Sequence, residues 1–98
     1  MENRKRTNPQ SDMYKAFLEL KTPRECYDFL MDLCTVAELK SMEQRFEVAR
    51  LLDKGMIYSE ILAETGASSA TISRVNRSLT DYGTGAYQEI FRRLEAKK

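Results

Sequence analysis

Histidine and tryptophan are absent from the 98 residues, and cysteine occurs twice, at Cys26 and Cys34. Without histidine the chain lacks the commonest general base and the commonest zinc ligand. Two cysteines eight positions apart make neither a metal ligand set nor a C-x-x-C redox pair, and they read as small buried apolar residues in a reducing compartment. No apolar run approaches the roughly 18–20 residues that span a bilayer, so no membrane segment is expected. No charged-then-apolar leader opens the chain, and a cytoplasmic location is expected. The Tyr82-Gly83-Thr84-Gly85 segment is no phosphate loop, because the Gly-Lys-Ser/Thr run and a preceding strand are missing. Acids such as Asp28, Asp32 and Glu38 show no paired-carboxylate logic. These absences argue against an enzyme and against a bound cofactor or metal.

What remains is ordinary globular material, 42% hydrophobic and 32% charged, with a net charge of +1. A single domain of this length buries about 60–65% of the surface its unfolded chain exposes. Charge is unevenly distributed. Residues 11–34 are acidic, with Asp12, Glu19, Glu25, Asp28 and Asp32 outnumbering Lys15, Lys21 and Arg24. Arg74 and Arg77 sit in a stretch, 68–79, that has no acid. The tail carries Arg92, Arg93, Lys97 and Lys98, and the first ten residues carry Arg4, Lys5 and Arg6.

Residues 1–10 lack apolar periodicity and read as a flexible arm; residues 11–98 read as one domain. Ser11 or Asp12 starts a short helix to about Leu20. Thr22-Pro23-Arg24-Glu25 is a helix start, with Thr22 as cap, Pro23 in the first turn and Glu25 completing a capping box. The helix behind it is apolar around most of its circumference (Cys26, Tyr27, Phe29, Leu30, Met31, Leu33 and Cys34). Such a helix must be covered on more than one side, which predicts a homodimer. Thr35-Val36-Ala37-Glu38 is a second capping box. It opens a long helix to Lys54, stopped by Gly55, with Leu39, Met42, Phe46 and Ala49 as its apolar stripe. The last helix begins near Ala86 and docks a face formed by Tyr87, Ile90, Phe91 and Leu94. No segment alternates with period two, so the fold class is all-α.

The informative stretch is residues 58–79. Tyr58 to Thr65 forms one short helix, Gly66 supplies a left-handed turn, Ala67 lies under it, and Ser68 caps a second helix. Ile61 and Leu62 are expected to meet Ile72 and Val75 in a small core. Leu62 stands where helix-turn-helix units commonly have alanine, which predicts a slight splay of the two helices. The second helix then exposes Ser69, Ala70, Ser73, Arg74 and Arg77. Small residues there permit close approach to a major groove, and hydroxyls and arginines supply donors for phosphates and base edges. Ser68 and Thr71, in the first turn, complete the candidate DNA-binding set.

Gln44-Arg45-Phe46-Glu47-Val48-Ala49-Arg50-Leu51-Leu52, then Gly55, then Glu64-Thr65-Gly66-Ala67-Ser68-Ser69-Ala70-Thr71-Ile72-Ser73-Arg74, resembles the tryptophan repressor superfamily. The likeness is nearest to its Trp-repressor-like branch from Gram-positive bacteria and covers roughly Thr22 to Leu94. The resemblance implies an intertwined helical homodimer with a helix-turn-helix head in each subunit. It further implies a transcriptional regulator, expected to be a repressor, bound to double-stranded DNA. It puts base-facing positions on Ser69 and Ala70, and Ser73 on the next exposed position. The arginines that sandwich tryptophan in responsive members match Arg45 and Arg74, and Thr35 and Ser78 match two further pocket positions. Val75 replaces the glycine those members carry after the second arginine, and its branched side chain fills space the indole needs. The residues thus imply no tryptophan, with Arg74 turned to phosphate and Arg45 paired with a neighbouring glutamate. A helical dimer that scaffolds a protein partner, and an effector sensor with a repurposed pocket, are the alternatives from other classes.

Overall fold

A computed structural model describes residues 7–81 and 83–98. Arg4, Lys5 and Arg6 of the basic arm, and Tyr82 of the turn, lie outside the described residues. Six α-helices and no strand occur among them: α1 (Asp12–Phe17), α2 (Pro23–Leu33), α3 (Val36–Asp53), α4 (Tyr58–Thr65), α5 (Ser69–Thr80) and α6 (Ala86–Ala96). No helix among the described residues is long and apolar enough to cross a membrane. The chain divides into two compact units, residues 1–39 and 40–98.

In the first unit, α1 ends three residues short of the expected Leu20. Leu18 is its C-cap, and its backbone N–H donates to Ala16 and Lys15. Ser11 occupies the N-cap position without a side-chain capping bond. Phe17 meets Phe29 of α2 edge to face, with ring centroids 5.3 Å apart, a favoured aromatic geometry. At the start of α2 the Thr22 hydroxyl accepts from the Glu25 N–H at 3.1 Å. The Glu25 carboxylate accepts from the Lys21 N–H at 2.9 Å, one residue before the cap expected to donate. No residue of α2 is buried. Cys26 is exposed and Cys34 only half-buried, which corrects the reading of both as buried apolar residues. Both thiols are free.

The second capping box is reciprocal. The Thr35 N–H donates to Glu38 Oε1 at 2.8 Å, and the Glu38 N–H donates to Thr35 Oγ1 at 3.1 Å. Two of the donors orphaned at the start of α3 are thereby satisfied. At the other end of α3, Gly55 adopts φ 89°. Its N–H donates to the Leu52 carbonyl at 2.9 Å, and the Met56 N–H donates to Leu51 at 3.1 Å. This paired pattern is a Schellman motif, and it needs a left-handed residue at Gly55.

The core of the second unit is Val48, Ala49 and Leu51 of α3, Ile61 of α4, Ala67 of the turn, Ile72 and Val75 of α5 and Phe91 of α6. Leu52, Met56, Leu79 and Tyr87 pack against it. Phe91 takes Phe46 edge to face at 5.4 Å and stacks with Tyr87 at 5.9 Å. The Gln88 side-chain amide donates to the Leu79 carbonyl at 2.9 Å, tying α6 to the end of α5.

Three packing expectations are corrected. Of the apolar stripe assigned to α3, Leu39 and Ala49 are buried, but Met42 and Phe46 are 38% and 39% exposed, because Val48 and Leu51 join Ala49 in the core in their place. Leu62 is 46% exposed while Ile61 is fully buried. Adjacent helix positions diverge by about 100°, so only one of the two can face α5. On α6, Phe91 is buried and Tyr87 half-buried, but Ile90 and Leu94 remain exposed.

Candidate nucleic-acid interface

Ile57 N-caps α4, and Gly66 ends it in the left-handed region, φ 73°, with its N–H on the Leu62 carbonyl at 2.9 Å. That φ is costly for any residue with a Cβ. The turn is three residues long, Gly66 to Ser68. Ala67 is buried beneath it, and Ser68 opens α5 by accepting from the Thr71 N–H at 3.1 Å. The two hydroxyls of Ser68 and Thr71 also meet at 3.1 Å.

On α5, Ile72 and Val75 are turned inward and buried, whereas Ser69, Ala70, Ser73, Arg74 and Arg77 are exposed. The helix contains no acidic residue. Its first-turn N–H groups add the partial positive charge of a helix start. Exposed face and cationic side chains therefore coincide.

The candidate residues divide by what holds them. Ser68 and Thr71 are engaged with each other at the cap, and Thr71 is half-buried. Arg74 forms no ion pair among the described residues. The Ser78 hydroxyl donates to the Arg74 carbonyl at 3.5 Å. Thr35 belongs to the first unit, and its hydroxyl is occupied in the capping box of α3. Arg45 is exposed on α3 and, among the described residues, pairs with no glutamate, which corrects the expected salt bridge. Its helical neighbours three and four residues away are Ser41, Met42, Val48 and Ala49, none of them acidic. Glu43 and Glu47 are two residues off and point to other faces.

Glu47 pairs with Arg50. This contact holds its carboxyl below the usual glutamate range, against a smaller opposing effect of burial. The same contact raises Arg50. On α6, Glu89 is bonded by both Arg92 and Arg93, and its carboxyl is likewise lowered. Two of the tail's basic residues are thus already partnered within their own helix. No group of acids and cysteines suited to a metal ion occurs among the described residues.

Two features escaped the sequence reading. The Gln44 amide on α3 donates to the Thr65 carbonyl at the end of α4. Thr65 in turn uses its hydroxyl to accept from the buried Ala67 N–H at 3.1 Å. A threonine two residues before a buried N–H in a glycine turn is a readable signal; the Gln44 contact spans 21 residues and is not.

An all-helical chain whose short α4 and glycine-hinged α5 pack on a long helix defines a helix-turn-helix protein. The family model of the Trp repressor protein matches residues 10–95, and the chain belongs to that family. It is similar to the uncharacterized protein YerC of Bacillus subtilis (strain 168), at 49% identity over 83 residues, covering 85% of this chain and 79% of YerC. Among solved structures, a TrpR-like protein from Eubacterium eligens ATCC 27750 is 47% identical with a TM-score of 0.85, and covers 95% of each chain. A Staphylococcus aureus structure described as a Trp repressor is 43% identical with the same TM-score, covering 95% of this chain and 92% of its own.

Proposed function

We propose that the protein is a homodimeric, sequence-specific DNA-binding transcriptional regulator, acting as a repressor on a near-palindromic operator. The observation that carries this reading is the outward face of α5. It is free of acid, small at its start and cationic along its length. Ser69, Ala70 and Ser73 lie against base edges, while Arg74 and Arg77 hold phosphates. Two such helices read successive major grooves about 34 Å apart. Residues 11–98 work as one domain of this family, with 1–10 as an arm whose Arg4, Lys5 and Arg6 add phosphate contacts.

Dimerisation is supported by apolar side chains that a single chain leaves uncovered: Tyr27, Met31 and Leu33 on α2, Met42 and Phe46 on α3, and Ile90 and Leu94 on α6. Exposed apolar surface on this scale marks an interface. The protein works in the cytoplasm at the nucleoid, without tryptophan, because Val75 is buried where responsive relatives carry glycine.

Gel-shift titration across salt, with genomic fragments as probes, tests the reading. Selected fragments should bind tightly, and log affinity should fall linearly with log salt. Weak binding to every fragment with little salt dependence overturns it.

A further inference from the structure

Thr65 is the last residue of α4, and its carbonyl belongs to the group of acceptors that a helix end leaves without an intrahelical partner. Gln44, on α3, supplies that partner: its Nε2 donates to the Thr65 carbonyl at 3.3 Å. The Thr65 hydroxyl donates to the Ile61 carbonyl at 2.8 Å and accepts from the Ala67 N–H at 3.1 Å. Ala67 is buried, so its N–H has no recourse to water. Two separate hydrogen bonds on Thr65, one to its carbonyl and one to its hydroxyl, and the peptide bond from Ala67 to Ser68 therefore form a relay from α3 to the cap of α5. Gly66 adds no packing of its own to this corner, since a Cβ there would have nothing within 4 Å.

We propose that Gln44 is a positioning residue that sets the attitude of α5 on α3, and with it the discrimination among DNA sequences. The proposal rests on the reading of α5 as the DNA-contacting helix. Gln44 acts through Thr65 and Ala67 and needs no contact with DNA. Slack at the turn displaces the short side chains of Ser69 and Ala70, which have no reach to compensate. The long side chains of Arg74 and Arg77 follow a phosphate through the same displacement. Loss of the Gln44 contact thus erodes specific binding and spares non-specific binding.

The test uses the full chain and the variants Gln44→Ala and Gln44→Glu. The carboxylate of Gln44→Glu keeps the shape but cannot donate. In the free protein, amide exchange at Ala67 is expected to be roughly fivefold faster in both variants, the factor that one net hydrogen bond carries. In Gln44→Glu the excess over wild type should disappear as the pH falls through about 4.3, where a protonated carboxyl donates again. With a fragment selected by the wild type, the ratio of specific to non-specific affinity should fall several-fold, with non-specific affinity close to wild type and the melting temperature lower only by the few degrees that one hydrogen bond carries. Unchanged exchange at Ala67, an unchanged affinity ratio, or a parallel loss of both affinities overturns the positioning role. Should the wild type select no DNA, the DNA-binding reading falls, while exchange at Ala67 still decides whether the relay exists.

Discussion

The Ser68 hydroxyl accepts from the Thr71 N–H at 3.1 Å, so the serine at the mouth of α5 is committed to its own helix. Its neighbour Ser69 is exposed, with its side chain outward. The two adjacent serines should separate in experiment. Ser68→Ala should lower stability by about 1 kcal/mol, the ordinary worth of a cap, and leave the ranking of DNA sites as it was. Ser69→Ala should leave the thermal midpoint unchanged and reorder the preferred sites. Melting curves and a binding selection on each variant check both halves.

Arg77→Ala should weaken binding to all sequences alike. Its signature is a salt slope shallower by about one, read from affinities at several salt concentrations. A change confined to one sequence would instead make Arg77 a base reader.

Val75 is 3% exposed within the core of the second unit. Val75→Gly removes its three side-chain carbons, two of them methyls, and puts glycine inside a helix. Together these should cost about 3–4 kcal/mol, seen as a lower denaturant midpoint. Tryptophan should not raise the melting temperature of the wild type. A ligand-induced rise would overturn the reading of Val75 as an obstacle, since any ligand of the folded state stabilises it.

The glycines should respond differently to alanine. At Gly66 the cost is backbone alone: φ is +73° and a Cβ would meet nothing within 4 Å. About 1–2 kcal/mol is expected. At Gly83 a Cβ would fall 1.7 Å from the Ser78 carbonyl oxygen, so the turn before α6 must open. Gly83→Ala should therefore loosen α6 as well, visible as faster amide exchange along it, whereas Gly66→Ala should not.

Glu47 supplies the pH test. Its folded-state carboxyl is lowered by Arg50. A group lowered on folding stabilises above its unfolded value, and that contribution is lost as the pH falls through the folded one. Both partners are more than a third exposed, so the contribution is at the lower end of about 0.2–1 kcal/mol. Glu47→Gln should be slightly less stable than wild type at pH 7, and the gap should close below the ordinary glutamate range. Denaturant titrations at several pH values measure it.

The helices were legible because their ends are written in local chemistry: Thr22, Thr35 and Ser68 as caps, Gly55 and Gly66 as stops. The α5 face was legible for the same reason, since an inward pair at Ile72 and Val75 leaves the rest of the helix outward. Misreadings arose where periodicity does not say which of two adjacent apolar residues wins the core. Ile61 and Leu62 are equivalent by composition, and only the direction of the packing partner separates them. Met42 and Phe46 share a stripe with the buried Leu39 and Ala49, and helical spacing alone does not say where along the stripe the cover ends. Arg45 was paired with glutamates close in sequence but not on its face. The Gln44 contact was invisible because nothing in either segment announces the other.

Along α5 the inward and outward positions interleave without sharing a side chain. Ile72 and Val75 maintain the shape, and Ser69, Ala70 and Ser73 take no part in it. A lineage could rewrite what this surface recognises one substitution at a time, through intermediates that all still fold, and so redirect an inherited scaffold to new targets without first unmaking it.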